Sequence, residues 1–187
     1  TFVANRSMAI FIIVMLVTGT LGDHGITIMS CRESLNFQTS LKSDAAPLNG
    51  LIADVLAAAP GTRCFRDPTR GGMSSTLNEL AEQSQVEMLI REDDVPVKPE
   101  VMGACEMLGY DVMQVANEGK MVCVVAPEDA DAALAAMRAN KYGADAAIIG
   151  EVTEMNGDRG PRVTLENGFG GKRILDMLVG EQLPRIC

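Results

Sequence analysis

An α/β (or α+β) fold, with helices packed against a mixed β-sheet, is the architecture this 187-residue sequence predicts. Three observations lead there. Short apolar runs rich in Val and Ile alternate along the chain with helix-length stretches whose apolar residues recur at helical spacing. Pro and Gly punctuate those stretches at their starts and ends. The composition, 47% hydrophobic and 22% charged, is that of a chain that buries an ordinary core. With no Trp and only 4% aromatic residues, that core must be aliphatic.

The elements come in order. The β-branched run ending at Thr18-Gly19 predicts a buried strand over 10–18. A Gly-rich turn, 19–25, leads into a helix at 25–35, and 37–46 reads as a polar loop. Pro47 starts a helix that runs to Ala59, where Pro60-Gly61 ends it, following the usual Pro-first, Gly-last asymmetry. A strand at 62–66 enters Asp67-Pro68-Thr69-Arg70-Gly71-Gly72, and a helix follows at 72–84 with Leu77, Leu80 and Ala81 on one face. A strand at 86–90, an acidic turn at 92–94, a helix at 99–108 stopped by Gly109, and a strand at 121–125 come next. An Ala-rich helix covers 127–140 with Pro127 near its start. Strands at 146–154 and 161–166 are joined by the turn Asn156-Gly157-Asp158. The last hydrophobic piece is 174–179, and a tail begins at Gly180.

Composition excludes several functions. A net charge of −9 argues against nucleic-acid binding through broad phosphate neutralisation. It leaves room for a nucleotide held by a few cations and backbone N–H groups. Five cysteines, odd in number and widely spaced without CxxC, make neither a zinc site nor a disulfide framework. The four internal ones read as small, mostly buried hydrophobes in a reducing, cytoplasmic setting. One histidine, His24, rules out His-rich metal sites. The apolar run 8–17 is shorter than the roughly 20 residues a membrane span needs, and although Arg6 precedes it no A-x-A cleavage site follows; a buried strand is read first, with a signal segment or a non-native lead-in as the alternatives.

Four places carry chemistry. In Asp67-Pro68-Thr69-Arg70-Gly71-Gly72, the glycines permit a tight turn. The following helix start offers free N–H groups, and Arg70 can clamp an anion. Asp67 could hold a metal or orient Arg70, and a plain strand–helix turn with a surface ion pair is an equal reading. In Asn117-Glu118-Gly119-Lys120, Glu118 sits at a strand start, where a partly desolvated carboxylate can act as a base; an ordinary loop facing water competes. In Gly22-Asp23-His24-Gly25, a lone His is either a ligand contact or structural. Cys187 closes the sequence after Pro184-Arg185-Ile186, where a thiol at the end of a tether can carry a group between sites, against the reading of an incidental residue in a frayed end.

Taken together, the stretch 18–25, the Arg66-to-Gly72 loop, Asn117-Glu118-Gly119-Lys120, Ile149-Gly150-Glu151-Val152 and the terminal Pro184-Arg185-Ile186-Cys187 resemble the HypE family of hydrogenase expression/formation proteins, carbamoyl dehydratases of the aminoimidazole ribonucleotide synthetase (PurM-like) superfamily. The resemblance runs from about residue 13 to 187. It covers the family's C-terminal domain and tail, without the N-terminal ATP-binding half. It implies a PurM C-terminal-domain-like unit over 13–179 and a flexible acceptor tail over 180–187. Residues 1–12 depart from the pattern and stand as a segment of uncertain or non-native origin.

The resemblance also implies a reaction. A HypF-type carbamoyltransferase loads a carbamoyl group onto Cys187. ATP-dependent dehydration converts it to a thiocyanate. The cyanide passes to iron on a HypC–HypD complex and becomes a ligand of the [NiFe]-hydrogenase centre. Glu118 is then the candidate base or orienting group. Asp67, Arg70, Gly71, Gly72, Asn117 and Lys120 shape the ATP side of the site. No metal ligand is assigned in this chain, and Mg2+ with most of the ATP contacts falls to the missing half. Homodimerisation, also through that half, is expected, and nucleic-acid and membrane partners are not. The chain alone is expected to be inactive as an enzyme. Two alternatives remain open at this point: another ATP-using PurM-superfamily enzyme of the selenophosphate synthetase kind, which the terminal cysteine disfavours, and a non-catalytic partner-binding module.

Overall fold

The computed structural model describes residues 13–32, 41–155 and 160–177. A seven-stranded sheet organises them, in the order β2-β4-β1-β5-β3-β6-β7. The strands are β1 (Ile13–Val17), β2 (Thr62–Arg66), β3 (Glu87–Arg91), β4 (Val122–Val125), β5 (Ala147–Thr153), β6 (Arg162–Glu166) and β7 (Lys172–Ile174). All neighbours run antiparallel except β3 and β6, which pair in parallel from Glu87↔Arg162 to Arg91↔Glu166. The sheet is therefore mixed, as the alternating pattern predicts.

β1 lies between β4 and β5, and this explains its composition. A central strand covered on both faces has no polar side to offer. Val14 and Leu16 point to one face, where they meet Leu51, Val55, Ala133 and Met137 of helices α2 (Asn49–Ala58) and α5 (Ala130–Ala139). Met15 and Val17 point to the other, against Met73, Leu77 and Ala81 of α3 (Gly72–Ser84). A third small cluster joins Ile26 of α1 (Asp23–Arg32) to Val101, Ala104 and Cys105 of α4 (Pro99–Leu108) and to Val115.

Several boundaries differ from the sequence reading for local reasons. Pro47 lies before α2, whose cap is Leu48. Pro127 opens a 3-10 turn, Pro127–Asp129, and the α-helix proper starts at Ala130. The hydrophobic piece expected from 174 instead contributes the end of β7 and the buried Leu175, and the sequence reading placed no strand at 172. The turn 156–158, residues 10–12 of the expected first strand and the tail 180–187 with Cys187 lie outside the described residues. No helix among the described residues is long and apolar enough to cross a membrane.

Candidate functional site

The motif loops meet around one side chain, Asn117, which is fully buried. Its Oδ1 accepts from the Gly22 N–H at 2.7 Å. Its Nδ2 donates to the carbonyls of Pro68, at 3.1 Å, and Val115, at 2.9 Å. Its own N–H donates to Pro68 as well, at 3.1 Å. One amide thus stitches the turn before α1, the loop before α3 and the Asn117–Lys120 loop to each other. Gly22 sits at φ +82, in the left-handed region, which lets the turn place its N–H against Asn117. Asn117 was expected to contact a cofactor; in the structure, its amide makes these bonds to the protein backbone.

Around Glu118 the chain is held by a strap, residues 41–46, that the sequence reading passed over as a polar loop. Gly119 leaves no room for a Cβ, because that atom would overlap the carbonyl oxygen of Asp44 and lie 2.7 Å from its carbon. The Glu118 N–H donates to Asp44 Oδ1 at 3.3 Å, and Lys120 Nζ stands 3.4 Å from Asp44 Oδ2. The Lys120 and Asp44 side chains are only 10% and 3% exposed, so each ion depends on the other for solvation. The lysine stem lies across Gly19, within 3.1 Å of where a Cβ there would be. The neighbouring Ser43 hydroxyl is 2.8 Å from Nδ1 of the buried His24.

Asp44 is the site residue that sequence reasoning missed. Its partners lie more than seventy positions away, and no local pattern marks it.

The strap, the turn after β1 and the start of α4 enclose a cleft of about 570 Å³ lined by Gly19, Asp23, Lys98, Gly119, Lys120 and Lys141 among others. Two of its lysines are spoken for: Lys120 by Asp44, and Lys98 by the buried Asp23 at 2.8 Å. Of the predicted site residues only Lys120 lines this cleft; Asp67, Arg70, Gly71, Gly72, Asn117 and Glu118 do not. Five buried polar atoms, Asp23 Oδ1, His24 Nε2, Thr27 Oγ1, Asp44 Oδ2 and Gln114 Oε1, have no hydrogen-bond partner among the described residues, though Asp44 Oδ2 faces the Lys120 ammonium. All but Gln114 Oε1 belong to α1 or the strap, so this side holds most of the polar groups that solvent or a further polar surface would satisfy.

On the other side of Asn117, the Asp67–Gly72 loop faces solvent. Asp67 and Arg70 are exposed. Asp67 Oδ2 accepts from Thr69 Oγ1 at 3.3 Å, and Arg70 has no ion-pair partner among the described residues. Gly71 and Gly72 both adopt left-handed angles, φ +71 and +61. A Cβ at Gly72 would lie 2.6 Å from the Val115 carbonyl oxygen and 2.7 Å from that of Met113. The glycine pair therefore seats the start of α3 against the backbone that leads into Asn117. No side chain caps α3.

Among the described residues, no group of three or more His, Cys, Asp or Glu side chains stands ready for a metal. Burial pushes the Cys64 thiol up. It pushes Cys105 up to about 11, with Asp111 adding to the effect, and Cys123 up to about 12, with Cys64 adding. Cys105 and Cys123 are buried as expected; Cys64 is half-buried, and Cys31, in the last turn of α1, is exposed.

Comparison with known proteins identifies the family of the fold. Residues 14–160 match the family described as AIR synthase related protein, C-terminal domain. The chain is 54% identical over 174 residues to the carbamoyl dehydratase HypE of Rhizobium leguminosarum bv. viciae, covering 92% of this chain and 49% of that protein. It thus spans about half the length of the curated relatives it matches. A crystal structure of the hydrogenase maturation protein HypE in complex with ATP superposes with a TM-score of 0.88 at 43% identity, over 94% of this chain and 52% of that one. A HypE–HypF complex gives 0.84 at 42%, over 92% and 55%.

Proposed function

The chain belongs to the AIR synthase related protein family, by its C-terminal domain, and from that membership we propose that it is the acceptor-bearing half of a HypE-type carbamoyl dehydratase in [NiFe]-hydrogenase maturation. The observation that carries the reading is the convergence on Asn117 of the three motif loops, with Glu118 as the next residue along. In this reading Cys187 carries a carbamoyl group, R–S–C(=O)–NH2. Its dehydration to R–S–C≡N removes the oxygen and both amide protons. ATP supplies the phosphoryl group that turns the amide oxygen into a leaving group. Glu118 accepts an N–H proton as general base, a role worth about 10²–10⁴ in rate.

The residues present fit a phosphate on one side. Arg70 is an exposed guanidinium without an ion-pair partner among the described residues, beside the uncapped start of α3. Asp67, Gly71 and Gly72 shape that loop, and Asn117 and Lys120 order the site rather than take up the nucleotide directly. Lys120 is already neutralised by Asp44. The ligands of a Mg2+ ion belong, in this reading, to the complementary half. That half also supplies most of the ATP contacts and the dimer contact, so the chain by itself is inactive. The relative solved with HypF supports a HypF-type carbamoyltransferase as the loading partner. A HypC–HypD complex receives the cyanide, and the work is done in the cytoplasm.

The test is intact mass. This chain, joined to the half its relatives carry beyond it, is incubated with a HypF-type carbamoyltransferase, carbamoyl phosphate and ATP. The expected result is a carbamoyl gain that Cys187→Ala abolishes, followed by the loss of one water. In Glu118→Gln the gain persists and the water loss slows by about a hundredfold or more. Water loss at the parent rate in Glu118→Gln removes the base from the scheme, and no gain on Cys187 removes the scheme.

A further inference from the structure

One buried carboxylate straddles the loop that carries Glu118. Asp44 Oδ1 accepts from the Glu118 N–H at 3.3 Å, and Oδ2 of the same group faces Lys120 Nζ at 3.4 Å. Between those two grips Gly119 lies directly on the Asp44 backbone, with no room for a Cβ. A single residue of the strap therefore touches Glu118, Gly119 and Lys120 in succession. The flanks of this segment are tied as well. Before it, the Asn117 amide is bonded to Gly22 and Pro68. After it, the Met121 N–H donates to Thr18 Oγ1 at 2.9 Å, and Met121 O accepts from the Thr18 N–H at 3.1 Å.

The strap can serve as a fixed point because it is anchored on both sides of Asp44. Leu41 packs against the cluster of Ile26, Val101 and Val115. Ser43 Oγ meets Nδ1 of the buried His24 at 2.8 Å. Leu48, buried in its turn, caps the start of α2.

We propose that Asp44 is a positioning residue for Glu118: its carboxylate holds the backbone from which the Glu118 side chain is aimed. The inference rests on the role of base given to Glu118 above. A buried ion pair adds little net stability, because desolvating both ions offsets their attraction. What the Asp44–Lys120 pair supplies is an oriented carboxylate whose second oxygen is left for the Glu118 N–H. A base must lie within hydrogen-bond reach of the proton it takes, and a misplacement of about 1 Å can cost on the order of a hundredfold in rate. Loading of Cys187 by a separate carbamoyltransferase makes no use of this base.

The experiment uses the protein carrying both halves. Removing Asp44 alone would strand the Lys120 ammonium, so the comparison is made within Lys120→Met, whose side chain can still lie across Gly19. The variants are Lys120→Met, Asp44→Asn/Lys120→Met and Asp44→Ala/Lys120→Met, each with and without Glu118→Gln. Asn keeps an uncharged oxygen for the Glu118 N–H, and Ala keeps none. Thermal melting checks folding. Hydrogen exchange reads the Glu118 amide, and intact mass follows loading and single-turnover water loss after ATP addition.

The Glu118 amide should exchange about tenfold or more faster with Asp44→Ala than with Asp44→Asn. Water loss should be about tenfold to a hundredfold slower, with loading and the apparent KM for ATP unchanged. With Glu118→Gln present, the Asn and Ala variants should lose water at one common rate, since a base already removed cannot be misplaced. Equal water loss or equal amide exchange in the two variants overturns the proposal. So does a difference in water loss that persists with Glu118→Gln, which marks a purely structural role. If Asp44→Ala/Lys120→Met does not fold, Asp44→Leu/Lys120→Met, close to Asn in shape and without an acceptor, takes its place. Water loss that Glu118→Gln fails to slow in Lys120→Met, with Asp44 untouched, sinks the base itself, and the positioning role falls with it.

Discussion

Replacing Gly119 by Ala should unseat the strap from the Glu118 loop, and the size of the effect can be worked from the contacts. The new Cβ would overlap the Asp44 carbonyl oxygen, and would lie 2.7 Å from the carbonyl carbon and 3.1 Å from Ala46 N. These are backbone atoms, so no side-chain rotation relieves the clash. The strap must retreat on the order of 1–2 Å to restore ordinary contact. The Glu118 N–H to Asp44 bond, at 3.3 Å, and the Lys120–Asp44 pair, at 3.4 Å, are already long and will not survive that shift. Overpacking costs about 1–3 kcal/mol and the loss of a hydrogen bond to a charged group about 1.5–3 kcal/mol. Together they predict a loss of roughly 2.5–6 kcal/mol. At about 2–4 °C per kcal/mol for a chain of this size, Tm falls by roughly 5–24 °C.

Gly103→Ala is the matched control. Gly103 lies inside α4 with nothing within 4 Å of a Cβ, so the helix should gain about 0.5–1 kcal/mol. Thermal unfolding followed by circular dichroism of the parent and both variants reads the pair of opposite signs. A Gly119→Ala Tm within about 2 °C of the parent would refute the strap contact, and shifts of the same sign in both variants would refute the reasoning from Cβ space.

Two further outcomes concern the buried groups. Asn117→Ala removes the partner of the Gly22 N–H and two donations to carbonyls, so stability should fall by about 3 kcal/mol in urea titration; a loss under about 1 kcal/mol would mean the loops hold together without it. The thiols make the other prediction. Cys123 and Cys105 are raised from the ordinary 9.0 to about 12 and about 11, so their stabilising contribution is fully present below pH 9.0 and is lost as pH rises through those values. The urea midpoint should fall above pH 9, less steeply in Cys123→Ala; equal slopes would show that the Cys123 thiolate is not excluded from the fold.

What could be seen in the sequence divides by range. β1, α3 and α4 were legible because an unbroken apolar run ending at Thr18-Gly19, the Leu77/Ala81 stripe and the Gly109 stop are each written within a few residues. The Asp67–Gly72 and Asn117–Lys120 loops were legible as special turns. Their closeness was not, because the bond that joins them spans 49 positions. The short strand β7, Lys-Arg-Ile, has no alternation of its own and is a strand only because β6 offers an edge from Thr164 to Glu166. Asp44 looked like one more polar loop residue, and only the fold makes it the counter-ion of Lys120. Asn117 illustrates the opposite case: the sequence singled it out as a nucleotide contact, while in the structure its amide binds the backbone of three segments.

The strand order also sets a timetable for synthesis. β1 is made first, yet its two neighbours are β4 and β5: Val14 sits opposite Val125 and Glu151. At roughly 5–20 residues per second, Ile13–Val17 leaves the ribosome about 5–30 s before those partners exist. For that interval an apolar strand, built to be covered on both faces, has no ladder on either edge, although α2 and α3 are made before β4. Non-local pairing of this kind is slow to close and open to aggregation while it waits. The nascent chain therefore offers chaperones a defined ligand in this strand, one that is withdrawn only when Ala147–Thr153 arrives to close the sheet.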